Sequence, residues 1–410
     1  MVFVSSFEPS DFEFVSGFGF GVSDFPILTT ARGVGVRIGI ACYPTFGGSG
    51  VVATELALAL AARGHDIHML SYERPHRLPD FVPGVTYHQV SAPSYPLFLS
   101  PPYTLALATK MADVAEHTPL DLLHVHYALP HAISAILAKQ MRESAGARLA
   151  VVTTLHGTDI TLVGQDQSYL PITRFAIEKS DAVTAVSRYL AEVTVSQFGV
   201  RNPIAVVPNF VDGGRYRPDG ASDWALGFRR PGEPLLVHVS NFRPVKRVGD
   251  VIAIFARVLE KLPARLLLVG DGPDRALAER TCRELKICDR VHFLGNVTAV
   301  ESLLPVCDLL LLTSDRESFG LSALEAMACG VPVVGTDAGG LPEVVESGKT
   351  GFLRPIGDVD GMSRDALSIL ADPATKKEFS EAARRRAIEA FPEERAVAQY
   401  LEVYERALRG

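Results

Sequence analysis

Residues 37–70 read RIGIACYPTFGGSGVVATELALALAARGHDIHML. The run opens as an apolar strand, crosses glycines and a serine at Gly47 to Gly50, continues as a helical stretch, and closes on a second apolar strand. Strand, crossover helix and strand in that order make a parallel βαβ unit, because only a crossover of a dozen or so residues brings the chain back to pair in the same direction. The unit then repeats. VTYHQV, LLHVH, LAVVTTL, DAVTAVS and IAVVP follow between residues 85 and 208, and LLVHVS, ARLLLVG, RVHFLG, LLLLTS and VPVVGT form a second series between residues 235 and 336. An alternation of that kind predicts an α/β protein with two doubly wound parallel sheets.

Between the two series lies NFVDGGRYRPDGASD, residues 209–223, rich in glycine and lacking apolar periodicity, as a linker is. The expected organisation is therefore a first domain over 36–210, a linker over 211–223, a second domain over 224–390 and an amphipathic helix over 391–410, whose partner the sequence does not name. Residues 1–35 are rich in Phe, Ser and Gly without helical or strand period, and read as a poorly ordered extension.

A chain of 410 residues, 47% of them hydrophobic, can fill two cores. The formal charge of −7 leaves no diffuse basic field for nucleic acid. No apolar run approaches the roughly 20 residues that cross a bilayer. Five scattered cysteines without a C-x-x-C pair indicate neither a disulfide framework nor a thiolate zinc site. The expectation is a cytoplasmic protein with no nucleic-acid or membrane partner, and a homo-oligomer is left open.

Three readings compete for the glycine loop. GSGVVA at 48–53 fits the dinucleotide fingerprint, with Glu73 near the end of the next strand as a ribose-binding acid, although the loop before it is longer than that motif uses. A helix start capped by Ser49 explains the composition with no ligand at all. A smaller anion on the free N–H groups of a helix N-terminus is the third. In the second half, DRESFGLSALEAMACGVPVVGTDAGGLPEVV at 315–345 sets Glu317 and Glu325 eight residues apart, across a strand end, a tight turn and a helix start. A phosphate suits that helix start, and the two acids suit sugar hydroxyls, although an exposed acid and a helix-dipole acid would look the same in isolation.

This stretch resembles the E-x7-E signature of the retaining, nucleotide-sugar-dependent glycosyltransferases of the GT-B fold, and AGGLPE at 338–343 continues it. SNFRPVKR at 240–247, VGDGP at 269–273 and FLGNV at 293–297 match in order, so the resemblance covers about residues 36 to 405. In the first half, HVHYALPHA at 124–132 and TTLHGTDITLVGQD at 153–166, with the glycine loop, are similar to the branch that joins N-acetylglucosamine to L-malate in bacillithiol biosynthesis.

The resemblance implies two Rossmann-like domains facing across a cleft, UDP-N-acetylglucosamine as donor and L-malate as acceptor. It implies catalytic roles for Lys246, Arg243, Glu317 and His156, with Arg243 two positions beyond the usual place of the second cation, which Asn241 fills. Gly48, Asn241, Phe319, Gly320, Leu321 and Glu325 are the expected donor contacts. Gly47, Ser49, Gly50, Tyr95, His131, Arg77 and Asn209 are the expected acceptor contacts. No D-x-D carboxylate pair stands at a strand end, so neither metal nor other cofactor is expected. A lipid or polysaccharide acceptor, and an NAD-dependent oxidoreductase built on GSGVVA, are the alternatives.

Overall fold

Among the described residues, short runs of Val, Ile and Leu give thirteen strands, and every strand pair is parallel, as crossover helices require. The structure, a computed structural model, describes residues 35–45, 47–92, 101–161 and 166–410. Tyr95 and nearly all of the expected extension lie outside them. The first sheet holds β1 (Arg37–Ala41), β2 (Asp66–Ser71), β3 (Val85–Gln89), β4 (Leu122–His126), β5 (Ala150–Leu155), β6 (Ala182–Ala185) and β7 (Ile204–Val206), in the order 3-2-1-4-5-6-7. The second holds β8 (Leu235–Val239), β9 (Arg265–Val269), β10 (Val291–Gly295), β11 (Leu309–Leu312), β12 (Val333–Thr336) and β13 (Gly351–Arg354), in the order 10-9-8-11-12-13.

The order reverses beside β1 in one sheet and beside β8 in the other. A crevice opens at such a switch point, past the carboxyl ends of the strands. The loops after β1, β4, β5, β8 and β11 therefore carry the ligand-facing residues. Strand β13 went unread in the sequence: GFLR is short, begins with glycine and sits at the sheet edge.

The helix Glu393–Arg409 buries Ala396, Val397, Tyr400, Val403, Tyr404 and Ala407, the single stripe that a 3.6-residue period produces. That stripe packs on the first sheet, not the second, in one core with Ile38, Ile40, Leu56 and Met69. Tyr404 hydroxyl meets His124 Nδ1 at 2.8 Å. The chain thus crosses between the halves twice. The segment expected to be a linker also packs against both halves: Tyr216 is buried, and Arg215 pairs with Glu55 of the first half and Glu301 of the second.

A polar seam also joins the halves. Glu343, the last residue of AGGLPE, accepts from the backbone N–H groups of Arg188 and Tyr189 at 3.1 and 2.9 Å, at the start of the helix Arg188–Phe198. Ser187 Oγ donates to Ser318 carbonyl at 2.6 Å, and Arg316 Nη1 to Thr161 carbonyl at 2.8 Å. Among the described residues no helix is long and apolar enough to cross a membrane.

Candidate active site

A helix from each half begins at the cleft with no side-chain cap. The helix Gly48–Ala61 follows β1 and starts from Gly47, with no side-chain cap and no acidic residue in its first turn. The helix Leu321–Ala328 starts from Gly320, whose φ of 97° closes the tight turn after β11. Uncapped first-turn N–H groups carry the positive end of the helix dipole, so both ends favour anions. Between them lie two connected lobes of about 510 and 530 Å³, sharing Thr45, Gly47, Gly48, Asn241, Arg243, Lys246, Glu317 and Leu321.

Lys246 and Glu317 meet where the lobes join. Lys246 Nζ donates to Glu317 Oε2 at 2.7 Å, and Ser314 Oγ lies 3.2 Å from the same oxygen. Arg243 is exposed on the cleft wall and lines both lobes, while Asn241 faces the cleft beside it. Two cations of the SNFRPVKR motif are thereby gathered beside the second helix start.

The first lobe is lined by Ser240, by Gly270 to Pro273 and by Asn296 to Thr298, with Glu325 on its floor. Gly270 to Pro273 and Asn296 and Val297 belong to VGDGP and FLGNV, motifs that marked the family but were not read as contacts. Glu325 is 6% exposed, and its Oε1 accepts from Tyr216 hydroxyl at 2.7 Å and Arg77 Nη2 at 3.0 Å. Arg77 thus differs from its expected role: it lines this lobe, not the second, and its guanidinium is shared between Glu325 and Glu55, the latter 3.4 Å away. A guanidinium already held by two carboxylates has little left for an acceptor carboxylate.

The second lobe takes Tyr43, Ser49, Tyr127, His156, Thr158, Asp159, Asn209, Arg316 and the turn Ser318 to Leu321. Phe319 is buried against Phe391, so only its backbone serves the cleft. His156 Nε2 shares a hydrogen bond of 2.7 Å with His126 Nδ1. Burial, with His131 adding to it, pushes the His156 imidazole down to about 3, so the ring is neutral near pH 7 and acts as a hydrogen-bond group. Burial raises Asp159 to about 6, against hydrogen bonds from the N–H groups of Ala128 and Gly157 that hold the carboxylate charged. This acid ties the loops after β4 and β5 together.

Tyr127 takes a φ of 90°, unusual for a bulky residue, and brings its hydroxyl within bonding reach of Ser49 and Thr158. Asn209 is buried, and its Oδ1 has no hydrogen-bond partner among the described residues. A ligand donor is what such an atom lacks. His131, expected at the acceptor, does not line the cleft. It is fully buried behind Tyr43, ring centroids 4.5 Å apart, with Nδ1 on the His126 carbonyl. Arg316, which sequence reasoning passed over beside Glu317, is the cation that the second lobe gains.

The glycine loop divides by position. An added Cβ at Gly50 would stand 2.4 Å from Tyr43 carbonyl and 2.9 Å from Thr45 carbonyl, whereas at Gly48 it would meet only Leu321, at an ordinary 3.6 Å. Gly50 is glycine for the loop's own packing. Gly50→Ala should lower stability by about 1–3 kcal/mol in thermal unfolding. Gly48→Ala should leave the melting temperature near wild type and raise the acceptor KM, since its methyl enters the space both lobes share. Equal melting temperatures in the two variants would refute this division.

Comparison with known proteins agrees with the geometry. The family model described as Glycosyltransferase Family 4 matches residues 46–215, and that described as Glycosyl transferases group 1 matches residues 227–386. The N-acetyl-alpha-D-glucosaminyl L-malate synthase of Bacillus anthracis is 47% identical over 375 residues, 91% of this chain and 98% of that one. A GDP-mannose-dependent alpha-(1-6)-phosphatidylinositol monomannoside mannosyltransferase of Mycolicibacterium smegmatis is 30% identical over 77% of this chain and 87% of its own. Among solved structures, the sucrose-phosphate synthase of Thermosynechococcus elongatus superposes with a TM-score of 0.75 at 23% identity, over 91% of this chain and 99% of that one, which bears on the fold alone. The dinucleotide reading of GSGVVA falls with these matches. With two sheets facing across a charged cleft and a relative nearly half identical along almost its whole length, the chain is a glycosyltransferase of family 4 with the GT-B fold.

Proposed function

We propose that the chain transfers N-acetylglucosamine from UDP-N-acetylglucosamine to the hydroxyl of L-malate, with retention at the anomeric carbon. The observation that carries this reading is the pair of uncapped helix starts facing one another across Lys246 and Glu317. One anion site per half suits a donor diphosphate on one side and an acceptor carboxylate on the other. The likeness to the N-acetyl-alpha-D-glucosaminyl L-malate synthase of Bacillus anthracis supports an N-acetylglucosaminyl group and L-malate as the two parts joined.

In this reading, Glu325 and the glycine-lined wall of the first lobe take the nucleoside. Lys246, Arg243 and the N–H groups of Phe319 to Leu321 face the diphosphate, where negative charge grows as the glycosidic bond breaks. Glu317 and His156 hold sugar hydroxyls. L-Malate lies in the second lobe, with its carboxylates toward the helix start at Gly48 and toward Arg316, and Asn209 Oδ1 accepts from a substrate donor.

The bond from the anomeric carbon to the phosphate oxygen breaks, the bond to the malate oxygen forms on the same face, and the malate proton passes to the departing phosphate. No protein base is required. Among the described residues no cluster of three or more His, Cys, Asp or Glu side chains could hold a metal ion, and Lys246 and Arg243 provide the positive charge a divalent ion would otherwise bring.

Incubation with UDP-N-acetylglucosamine and L-malate in excess EDTA, followed by phosphorus and proton NMR, tests the assignment. UDP and an α-linked glucosaminyl malate should appear in equal amounts. Turnover with another hydroxyl acceptor but not malate would overturn the substrate. Loss of turnover restored by magnesium would overturn metal independence.

A further inference from the structure

Arg77 and Glu325 come from opposite halves of the molecule and are 248 residues apart in sequence, yet they pair at 3.0 Å inside the first lobe. Their side chains are 11% and 8% exposed, so the pair is largely out of water. Tyr216 hydroxyl reaches the same Glu325 oxygen at 2.7 Å, and the Arg77 guanidinium lies 5.9 Å from the centre of the Tyr216 ring. Behind Arg77, Glu55 takes its Nη1 and, at 2.7 Å, Arg215 Nη1, and Arg215 continues to Glu301. The result is a continuous ladder of charge from the helix Gly48–Ala61 to the helix Leu321–Ala328.

A carboxylate has about four lone-pair positions, two on each oxygen. Arg77 and Tyr216 both fall on Oε1, which leaves Oε2 for two incoming hydroxyls. A buried carboxylate stripped of its cation is strongly disfavoured, and it then turns toward water or takes up a proton. Either change would spoil its acceptance of a vicinal diol.

We propose that Arg77 is a positioning residue for donor recognition: from the first half it fixes the Glu325 carboxylate so that Oε2 receives the nucleotide ribose, and ribose discrimination is complete only when the two halves are together. The inference rests on the reading of Glu325 as the ribose acceptor. It gives the first half a part in nucleotide selection, although that half supplies little of the wall around the nucleoside.

The test compares UDP with 2′,3′-dideoxy-UDP by titration calorimetry on wild type, Arg77→Ala, Arg77→Lys, Glu325→Ala and the Arg77→Ala/Glu325→Ala double variant. Wild type should prefer UDP by roughly tenfold or more, as a hydroxyl bonded to a charged group commands. Arg77→Ala should weaken UDP by about tenfold while leaving 2′,3′-dideoxy-UDP nearly unchanged, so that the preference collapses. The retained 2′,3′-dideoxy-UDP affinity also shows that the variant is folded. Arg77→Lys should recover part of the preference, and the double variant should match Glu325→Ala. An equal loss for both nucleotides, or additive losses in the double variant, would mean that Arg77 touches the nucleotide itself and would overturn the inference. So would a wild-type preference in Arg77→Ala where Glu325→Ala has lost it. A wild-type preference in Glu325→Ala would instead sink the ribose reading, and the inference with it.

Discussion

Lys246→Ala is expected to lower kcat by about 100- to 1,000-fold, the usual loss when one fixed donor to a developing oxyanion is removed. The ammonium stands where the two lobes join, on the short turn Pro244 to Lys246 that follows β8, and Arg243 of the same motif lines both lobes beside it. In the structure its charge rests on Glu317 at 2.7 Å. A donor diphosphate offers more negative charge than one carboxylate, so the ammonium can divide between them when substrate is present. That division frees Glu317 to take a sugar hydroxyl. The variant therefore loses charge at the leaving group and also leaves Glu317 without its cation, held only by Ser314 Oγ, in a half-buried site, two costs that both fall on the chemical step. UDP affinity should drop less than kcat, because the nucleoside contacts in the first lobe persist. Steady-state kinetics with calorimetric UDP binding decide the matter: a kcat within threefold of wild type would remove Lys246 from the reaction.

The second large effect is expected at Gly157, in HGTD after β5. Its φ is +115°, and a Cβ there would sit 1.7 Å from Ser318 Oγ and 2.7 Å from Ser318 Cβ, across the cleft in the other half. The Oγ can rotate away, but the Cβ cannot. Gly157→Ala must push the turn Ser318 to Leu321 away from His156, and a displacement near 1 Å in a reacting geometry costs on the order of 100-fold. We expect kcat/KM to fall by about that factor, with a further 1–3 kcal/mol or so of backbone strain seen in thermal unfolding. Combining it with Ser318→Gly removes the overlap but not the φ, so turnover should return in part and stability should not. Wild-type kcat/KM in the single variant would show that the halves need not approach this closely for reaction.

Much of the site could be read in the sequence, and the misplaced residues share a cause. Glu317, Glu325 and Gly320 were legible because a strand end, a tight turn and a helix start are local events whose residues sit at fixed offsets. Lys246 was legible as part of an ordered motif. Arg77 was expected among the acceptor contacts, but its partners Glu325 and Glu55 lie 248 and 22 residues away, and no spacing rule connects them. His131 shares HVHYALPHA with Tyr127, yet the chain turns so that Tyr127 faces the lobe and His131 the core. Gly50 and Gly48 look alike in GGSG. Only the Tyr43 and Thr45 carbonyls packed against one of them tell packing from substrate space.

By itself the sequence determined two series of parallel strands with crossover helices, glycine-led helix starts that favour anions, and a pair of acids at E-x7-E spacing. Each is a matter of period or of adjacent residues, where side-chain direction and backbone preference act over a single turn. The tertiary structure alone decided that the last helix returns to the first sheet, that Glu343 caps a helix of the opposite half, and that Glu325 is held from across the cleft. Those depend on which surfaces meet once two cores have formed. Contacts between groups hundreds of residues apart leave no periodic trace in a single chain, because their energy is gained only after both halves have folded and approached.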